Sequence, residues 1–161
     1  MNQHGRSMIE MLGVLAIIGV LSVGGIAGFS SAMMKSKVNK TLQQISAISS
    51  AVSSLDVATY EGLNNKTVIK MKAAKAADDH NNIDNAFGGR INVSDTDNGA
   101  SYKIELTAVP EEACIALLSH EWSAKGHFAG LSVNDTSVTP ANVASAIGSC
   151  RQTNTIVVKY Q

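Results

Sequence analysis

The sequence has few aromatic residues and no net charge, and these two absences exclude several kinds of partner. Phe, Trp and Tyr make up 4% of the 161 residues, too few for the aromatic platforms on which single-stranded nucleic acids and sugars stack. Thirteen Lys and Arg residues balance thirteen Asp and Glu residues, so the whole chain lacks the positive potential that attracts nucleic acid. We therefore predict no nucleic-acid partner, although this balance leaves room for a local basic patch.

The sequence also lacks the short motifs that mark catalytic and metal sites. It contains no glycine-rich phosphate loop and no nucleophile elbow. His120, Glu121 and His127 have the wrong spacing for a zinc peptidase, which places two histidines around the glutamate on one helix. Residues 95–99 offer the oxygen ligands that calcium prefers, but they lack the distant glutamate of an EF-hand, and a hairpin turn fits them better. We predict no enzyme activity, no metal and no cofactor.

Proline and cysteine are rare as well, with two residues of each. No proline occurs between residues 6 and 58, so nothing interrupts a long helix there. Cys114 and Cys150 both lie in the C-terminal half, and an even pair in an exported domain is typical of a disulfide. Closing a loop of this length stabilises a domain by roughly 3–4 kcal/mol on the chain-entropy model. Two free thiols in the native protein would contradict export.

A long hydrophobic segment begins almost at the first residue and is interrupted by a single acidic residue, Glu10. The segment stays apolar or small to about Met34, which is long enough to cross a bilayer. A charged side chain at the centre of a membrane helix costs roughly 2.5–3.5 kcal/mol on insertion scales, so such a residue usually has a partner. We predict that Glu10 waits in a membrane and later pairs with a cation on a neighbouring copy.

This segment resembles the N-terminus of the type IV prepilins. In that family a short leader ends in glycine, and a glutamate occupies the fifth position of the mature chain; Gly5 and Glu10 fit both, with Arg6 as the first mature residue. The first mature residue of the family is usually Phe or Met. The resemblance implies that prepilin peptidase cuts after Gly5 and that the new amine of Arg6 is methylated. It also implies that Glu10 acts in assembly by pairing with that amine on a neighbour.

Five glycines lie within the same apolar segment, and neither an ordinary signal peptide nor a plain membrane anchor explains them or the glutamate: Gly13, Gly19, Gly24, Gly25 and Gly28. Each glycine inside a helix costs about 0.5–1 kcal/mol relative to alanine. By the family resemblance, we predict local loss of helix near residues 19–28 in the filament. The alternative is that the small residues let neighbouring helices approach closely.

The charges that flank the apolar segment conflict with the cysteines over topology. Lys35, Lys37 and Lys40 follow the segment, and the positive-inside rule would place that side, with the domain, in the cytoplasm. The cysteine pair and the prepilin resemblance both require an exported domain. We predict a single-pass precursor in the inner membrane with its domain exported.

The chain divides into four parts: a leader of residues 1–5, a membrane or filament-core helix of residues 6–34, its amphipathic continuation over 35–60, and a head domain of residues 61–161. The continuation carries apolar residues at steps of three and four, which indicates one buried helical face. These residues are Val38, Leu42, Ile45, Ile48, Val52 and Leu55. A helix with this stripe is expected to end near residue 58 and to pack against a sheet.

The head reads as mixed α and β. We predict helices over 66–78, from Pro110 to Trp122, and over 139–147, and strands over 90–94, 101–109, 127–133 and 155–160. The predicted fold class is α+β, with the long N-terminal helix packed on an antiparallel sheet flanked by short helices. By resemblance this is the pilin fold.

The C-terminal half resembles the type IVb branch of the pilins. The similarity rests on Phe87-Gly88-Gly89 before a strand, the run 109–114 that opens a helix at Cys114, and the late Cys150 before the last strand. In that branch two such cysteines bracket a disulfide-bound region on the pilus surface. The resemblance implies that residues 115–149 form the outward face.

Together these features favour a structural subunit that polymerises with itself into an extracellular type IV pilus through its hydrophobic helix. Its expected partners are other copies, prepilin peptidase, the pilus assembly machinery and, before assembly, the inner membrane. The alternative is a minor pilin or a type II secretion pseudopilin that caps or initiates a filament and binds a ligand. The sequence does not separate adhesion from conjugation, DNA uptake, motility or aggregation.

Overall fold

A computed structural model describes residues 8–55, 57–122 and 127–161, and for residues 24–27 it describes the backbone alone. The chain forms two compact units, Met1–Ser36 and Lys37–Gln161. In chain order the helices and strands are α1 (Met8–Ser53), α2 (Asn65–Lys70), β1 (Ile83–Asp84), β2 (Arg90–Thr96), β3 (Ser101–Val109), α3 (Glu111–Leu118), β4 (Phe128–Val133), β5 (Thr136–Val138), α4 (Val143–Ile147) and β6 (Asn154–Tyr160).

The described part of the first unit is the N-terminal part of α1. Its large apolar side chains are exposed on every side of the helix, as Ile9, Leu15, Leu21 and Phe29 illustrate. Among the described residues, α1 is the one helix that is long and apolar enough to cross a membrane. A helix that is hydrophobic all round requires an apolar environment, either lipid or other protein.

The remainder of α1, in the second unit, buries one face in the head. Val38, Ile45, Ile48 and Val52 are buried there, as the stripe predicts. The prediction is wrong for Leu42, which is only half-buried, because Thr41 occupies the corresponding buried position. It is also wrong for Leu55, which is half-buried and lies beyond the end of the helix. Steps of three and four that start at Val38 reach Thr41 and Ile45, so Leu42 lies toward the flank of the stripe.

Helix α1 ends at Ser53, several residues earlier than predicted. The chain then makes tight turns, with Leu55 N–H donating to Val52 O and Val57 N–H donating to Leu55 O. It next meets the β2–β3 hairpin, where Tyr60 N–H donates to Gly99 O at 2.8 Å. The redirected segment therefore closes one end of the sheet.

Six antiparallel strands form one sheet in the order β1-β2-β3-β6-β4-β5. Alternate residues of the central strands β3 and β6 are fully or nearly fully buried, including Ile104, Leu106, Ile156 and Val158. The α+β fold with a long N-terminal helix, an antiparallel sheet and short helices is thus confirmed. All four predicted strands are present, and β2 continues to Thr96. The short strands β1 and β5 were not predicted.

The predicted helix over 66–78 is wrong beyond its first turns, because α2 ends at Lys70. Lys72 adopts a left-handed backbone with φ of 59°. Its N–H donates to Ile69 O, and Ala73 N–H donates to Val68 O, which together form a Schellman motif. The helix-forming residues that follow are therefore outside the helix.

Helices α3 and α4 are also shorter than predicted. Helix α3 starts directly after Pro110 but ends at Leu118, so Trp122 lies beyond it. Helix α4 runs from Val143 to Ile147, because Thr139 instead donates its N–H to the Asn142 side chain in a preceding turn.

Candidate functional site

The first feature of functional interest is the apolar surface of α1. Met8, Ile9 and Leu12 are 85%, 79% and 65% exposed, exposure stays high to Val23 at 72%, and Phe29 is 68% exposed. A soluble monomer rarely exposes a continuous apolar surface of this extent, and such surfaces mark contacts with membranes or proteins.

Glu10 lies in the first turn of α1, among these exposed apolar residues. Within the described ranges, Glu10 makes no ion pair with any other residue. Burial of this surface among other protein chains would therefore favour a cation beside the carboxylate. The predicted cleavage and methylation site, Gly5 and Arg6, lies outside the described residues.

A disulfide joins Cys114 of α3 to Cys150, which lies just before β6, and the two Cα atoms are 6.1 Å apart. It encloses the region 115–149, which carries β4, β5 and α4. The bond ties a buried residue of α3 to the entry of a central strand. One end of the enclosed region is therefore fixed to the core.

Two asparagines that sequence reasoning missed reinforce this attachment. Buried Asn154 donates from Nδ2 to Val109 O at 3.0 Å and accepts the Arg151 N–H at 2.7 Å. Asn134 in the β4–β5 turn donates to Asn154 Oδ1 at 2.9 Å and accepts the Thr155 N–H at 3.0 Å. The polar ends of β3, β4 and β6 are thereby satisfied at one point. The sequence signal for this cluster was Asn154, directly before the strand predicted over 155–160. Its position does not identify the groups to which it bonds.

The Phe87-Gly88-Gly89 turn has a clear physical role. Asn85 Oδ1 accepts the N–H groups of Phe87 and Gly89, each at 2.9 Å, and Asn85 Nδ2 donates to Thr107 O at 2.7 Å. A Cβ atom at Gly89 would lie 2.0 Å from Thr107 O, so only glycine allows β2 to approach β3 this closely. The turn sets the register of β2 on β3.

A line of aromatic rings connects the enclosed region to Tyr60, in the segment that follows α1. Tyr102 lies 4.9 Å from Tyr60 and 5.2 Å from Tyr160, and Phe128 connects Tyr160 to Trp122 at ring distances of 6.4 and 6.5 Å. Burial raises the pKa of Tyr160 to about 12 and moves the pKa of Tyr102 higher still. Both tyrosines stay neutral at physiological pH and act as core side chains.

A hollow of about 280 Å³ lies in the enclosed region, lined mainly by apolar groups from α3, β4 and the β5–α4 connection. Trp122 and Phe128 contribute to its wall, and the Trp122 indole N–H donates to Leu117 O at 2.9 Å. His120 and Glu121 lie at its rim, and neither belongs to a helix. His127 has a left-handed backbone, with φ of 56°, directly before β4, so the three residues do not form a peptidase-like helix.

The predicted hairpin turn is present at residues 97–100, while Asp95 and Thr96 belong to β2. Thr96 pairs with Ser101, and Asp97, Asn98 and Gly99 all have positive φ. Asp97 Oδ2 accepts from Lys159 Nζ at 2.5 Å and from the Ser101 hydroxyl, and these bonds lower the pKa of the Asp97 carboxyl. The carboxylate is thus engaged in holding the hairpin to β6. In the parts of the chain that the structure describes, no three His, Cys, Asp or Glu residues gather as a metal site.

Comparison with known proteins gives two concordant results. The family model described as PilS N terminal matches residues 31–160. The "Major structural subunit of bundle-forming pilus" of Escherichia coli O127:H6 (strain E2348/69 / EPEC) is 27% identical over 178 residues, covering 96% of this chain and 92% of that protein. The protein of the same name from Escherichia coli O111:H- matches to the same extent.

Proposed function

Because the chain belongs to the PilS N-terminal family of type IV pilins, we propose that it is the main structural subunit of a type IVb pilus. The chain is a pilin, with a structural role in a filament outside the cell, and not an enzyme. The relatives are named as major subunits of a bundle-forming pilus, which supports the type IVb assignment and the major role.

The observation that carries the proposal is the exposed apolar surface of α1 with Glu10 near its start. Before assembly, this helix holds the subunit in the inner membrane with the head exported, where the Cys114–Cys150 bond is stable. Prepilin peptidase removes residues 1–5 and methylates Arg6. The pilus assembly machinery then transfers the helix from lipid to a bundle of identical helices.

In this bundle Glu10 pairs with the methylated amine of Arg6 on a neighbouring copy. An unpaired carboxylate buried among apolar side chains is strongly unfavourable, whereas a hydrogen-bonded pair offsets most of that cost. The pairing therefore selects one axial position of each helix relative to its neighbour. Glycines at 19–28 make this part of α1 the first to lose helix as subunits enter the filament.

The experiment compares pili sheared from cells that express wild type, Glu10→Gln, Glu10→Asp or the control Leu15→Ala. We expect Glu10→Gln to abolish pili or reduce them at least about tenfold, because the neutral amide cannot form the ion pair. Glu10→Asp should retain part of the yield, and Leu15→Ala most of it. The amount of each subunit in the membrane fraction should not change. Normal pili from Glu10→Gln would disprove the pairing.

The alternative function is a minor pilin or a type II secretion pseudopilin that caps or initiates a filament. The apolar hollow at Trp122 and Phe128 is the observation that favours a ligand-binding role of this kind. Abundance separates the two functions, because a major subunit dominates the sheared fraction and a minor one is present there in trace amounts. Cells that lack the chain should make no pili if it is the major subunit.

A further inference from the structure

The hollow beside the end of α3 gathers aromatic rings in a chain that has few of them. It has a volume of about 280 Å³, and the rings of His120, Trp122 and Phe128 all contribute to its lining. The ring centroids of Trp122 and Phe128 are 6.5 Å apart, with their planes at 17°. Those of His120 and Trp122 are 5.2 Å apart, with their planes at 85°. The hollow is therefore bounded by rings in two nearly perpendicular orientations.

The other walls of the hollow are mostly aliphatic. They come from Leu118 at the end of α3, Leu131 of β4, Val138 of β5 and Val143 of α4. Leu118 and Leu131 are nearly fully buried, and the two valines are half-buried. Ligand sites are commonly lined in this way, with a few polar groups that provide specificity. A lining of low polarity also strengthens any electrostatic attraction to a ligand inside it.

Contacts with the core hold the aromatic walls in position. The indole N–H of Trp122 donates to Leu117 O at 2.9 Å, and Trp122 is only 6% exposed. The ring of Phe128 lies against Tyr160 of the central strand β6, with the ring centroids 6.4 Å apart. Because these rings are already fixed, a ligand that enters the hollow has little side-chain ordering to offset.

One carboxylate, that of Glu121, lies at the rim of the hollow. Glu121 is exposed, and within the described ranges it forms no ion pair. The described residues that line the hollow include no lysine or arginine to offset its charge. The faces of the aromatic rings carry partial negative charge as well. The hollow therefore combines apolar walls with negative potential from two sources.

This combination restricts the chemistry of the ligand. Metal ions and primary ammonium groups are strongly hydrated, and apolar walls do not replace the water that they lose. A neutral apolar molecule makes no use of the carboxylate. A quaternary ammonium group presents its positive charge through methyl groups, and aromatic side chains recognise such cations by cation–π attraction. A phosphocholine headgroup would add a phosphate near Glu121, where the described lining offers no basic partner.

We propose that the hollow lined by Trp122 and Phe128 binds a small soluble quaternary ammonium compound, for which choline is the test ligand. Its methyl groups contact the aromatic and aliphatic walls, and Glu121 attracts its positive charge from the rim. The inference goes beyond the proposed function and does not depend on it, because the lining residues all belong to one subunit. It assigns a class of ligand to the enclosed region 115–149.

The test measures ligand binding to full-length protein in a nonionic detergent. Trp122 is the only tryptophan of the chain, so tryptophan fluorescence reports directly on the hollow. The first probe is choline. The second is dimethylbutanol, its neutral isostere with carbon in place of nitrogen, and the third is ethanolamine, which keeps the charge but lacks the methyl groups. We expect choline to change the fluorescence saturably, with a Kd at least about tenfold lower than that of either other probe.

Equal affinity for choline and dimethylbutanol would overturn the proposal, because the hollow would then recognise shape without charge. Saturation transfer from the protein to the choline methyl protons, measured by NMR, detects binding that leaves the fluorescence unchanged. Absence of both signals would also overturn it. Phosphocholine should bind more weakly than choline. Tighter binding of phosphocholine would contradict a soluble cation as the ligand and point to a phospholipid headgroup.

Two substitutions separate the contribution of the charge from that of the ring. Glu121→Gln should weaken choline binding about twofold to fivefold and leave dimethylbutanol binding unchanged, because it removes only the charge at the rim. Phe128→Leu keeps the wall apolar but removes a ring, so it should weaken choline binding more than dimethylbutanol binding. The control Glu112→Gln neutralises an exposed glutamate of α3 that does not line the hollow, and it should leave binding of both probes unchanged.

Wild-type affinity for choline in both Glu121→Gln and Phe128→Leu would overturn the proposal. So would a loss from Glu112→Gln as large as the loss from Glu121→Gln, since the effect would then be general to the charge of the head. Protease resistance of the solubilised head shows whether each variant folds. Glu121 is exposed, so Glu121→Gln decides the question if Phe128→Leu does not fold.

Discussion

The two units of this protein use apolar residues in opposite ways. In the described part of Met1–Ser36 the large apolar side chains are exposed or half-buried, and the helix has no core of its own. In Lys37–Gln161 such side chains are buried between a sheet and the amphipathic part of α1, and asparagines satisfy the polar ends of the strands. The first unit is therefore completed by lipid or by other copies, while the second is complete by itself. This difference divides the effects of mutations into those on assembly and those on folding.

Removing the disulfide should have the largest effect on folding. Cys114→Ser with Cys150→Ser opens the loop that encloses β4, β5 and α4. We expect a loss of roughly 3–4 kcal/mol in the free energy of unfolding of the head, since the unfolded chain gains entropy. The same variant should insert into the membrane as wild type does. Protease digestion of membranes measures the stability of the head, and membrane fractionation measures insertion. Unchanged protease resistance of the head would contradict the stabilising role of the bond.

A pair of alanine substitutions compares the units directly. Ile48→Ala removes a side chain of α1 that is 0% exposed, whereas Leu15→Ala removes one that is 62% exposed. The first should lower the free energy of unfolding of the head by about 3 kcal/mol, because it leaves a cavity. Leu15→Ala should not change it. Equal effects in denaturant titrations of detergent-solubilised protein would remove the distinction between the units.

Glycine-to-alanine changes should have opposite signs in the two units. Gly89→Ala should destabilise the head, because the new Cβ meets Thr107 O. Gly19→Ala and Gly28→Ala have open space around them and should stabilise the helix of the free subunit by about 0.5–1 kcal/mol each. If local melting accompanies assembly, the variant that carries both Gly19→Ala and Gly28→Ala should assemble more slowly, although its helix is more stable. Time courses of pilus regrowth after shearing measure this, and unchanged regrowth would count against melting.

The smallest expected effect is a pH dependence confined to the head. Hydrogen bonds from the Asn82 side chain, the Asn82 N–H and the Asn81 N–H lower the pKa of Asp79 to about 2. A lowered pKa means that its stabilisation is present above the unfolded value of about 3.8 and is lost as pH falls toward 2. Asp79→Asn should flatten the acid limb of the stability curve slightly between these values. An identical curve for wild type and variant would show that the interaction contributes nothing.

The sequence predicted features that depend on long patterns. Three features extend over enough residues to be recognised as patterns. They are the apolar segment with Glu10, the buried stripe through Ile45 and Ile48, and the alternation in β3. The disulfide could be expected because only two cysteines are present, and the structure forms it.

The features that were missed depend on one or two residues or on distant partners. β1 and β5 have two and three residues, too few to show an alternating pattern. The end of α2 depends on the left-handed conformation of Lys72, where a glycine would have been the usual signal. Asn85 and Asn154 bond to groups many residues away, so their roles become visible only in the folded chain.

The most direct test of the central claim is the intact mass and N-terminal sequence of pili sheared from native cells. We predict that the dominant protein begins at Arg6, is about 14 Da heavier at its amine through methylation and about 2 Da lighter through the Cys114–Cys150 bond. This result would establish processing, export and the major role together. An uncut chain that begins at Met1, or a sheared fraction without this protein, would contradict the account of a polymerising pilin.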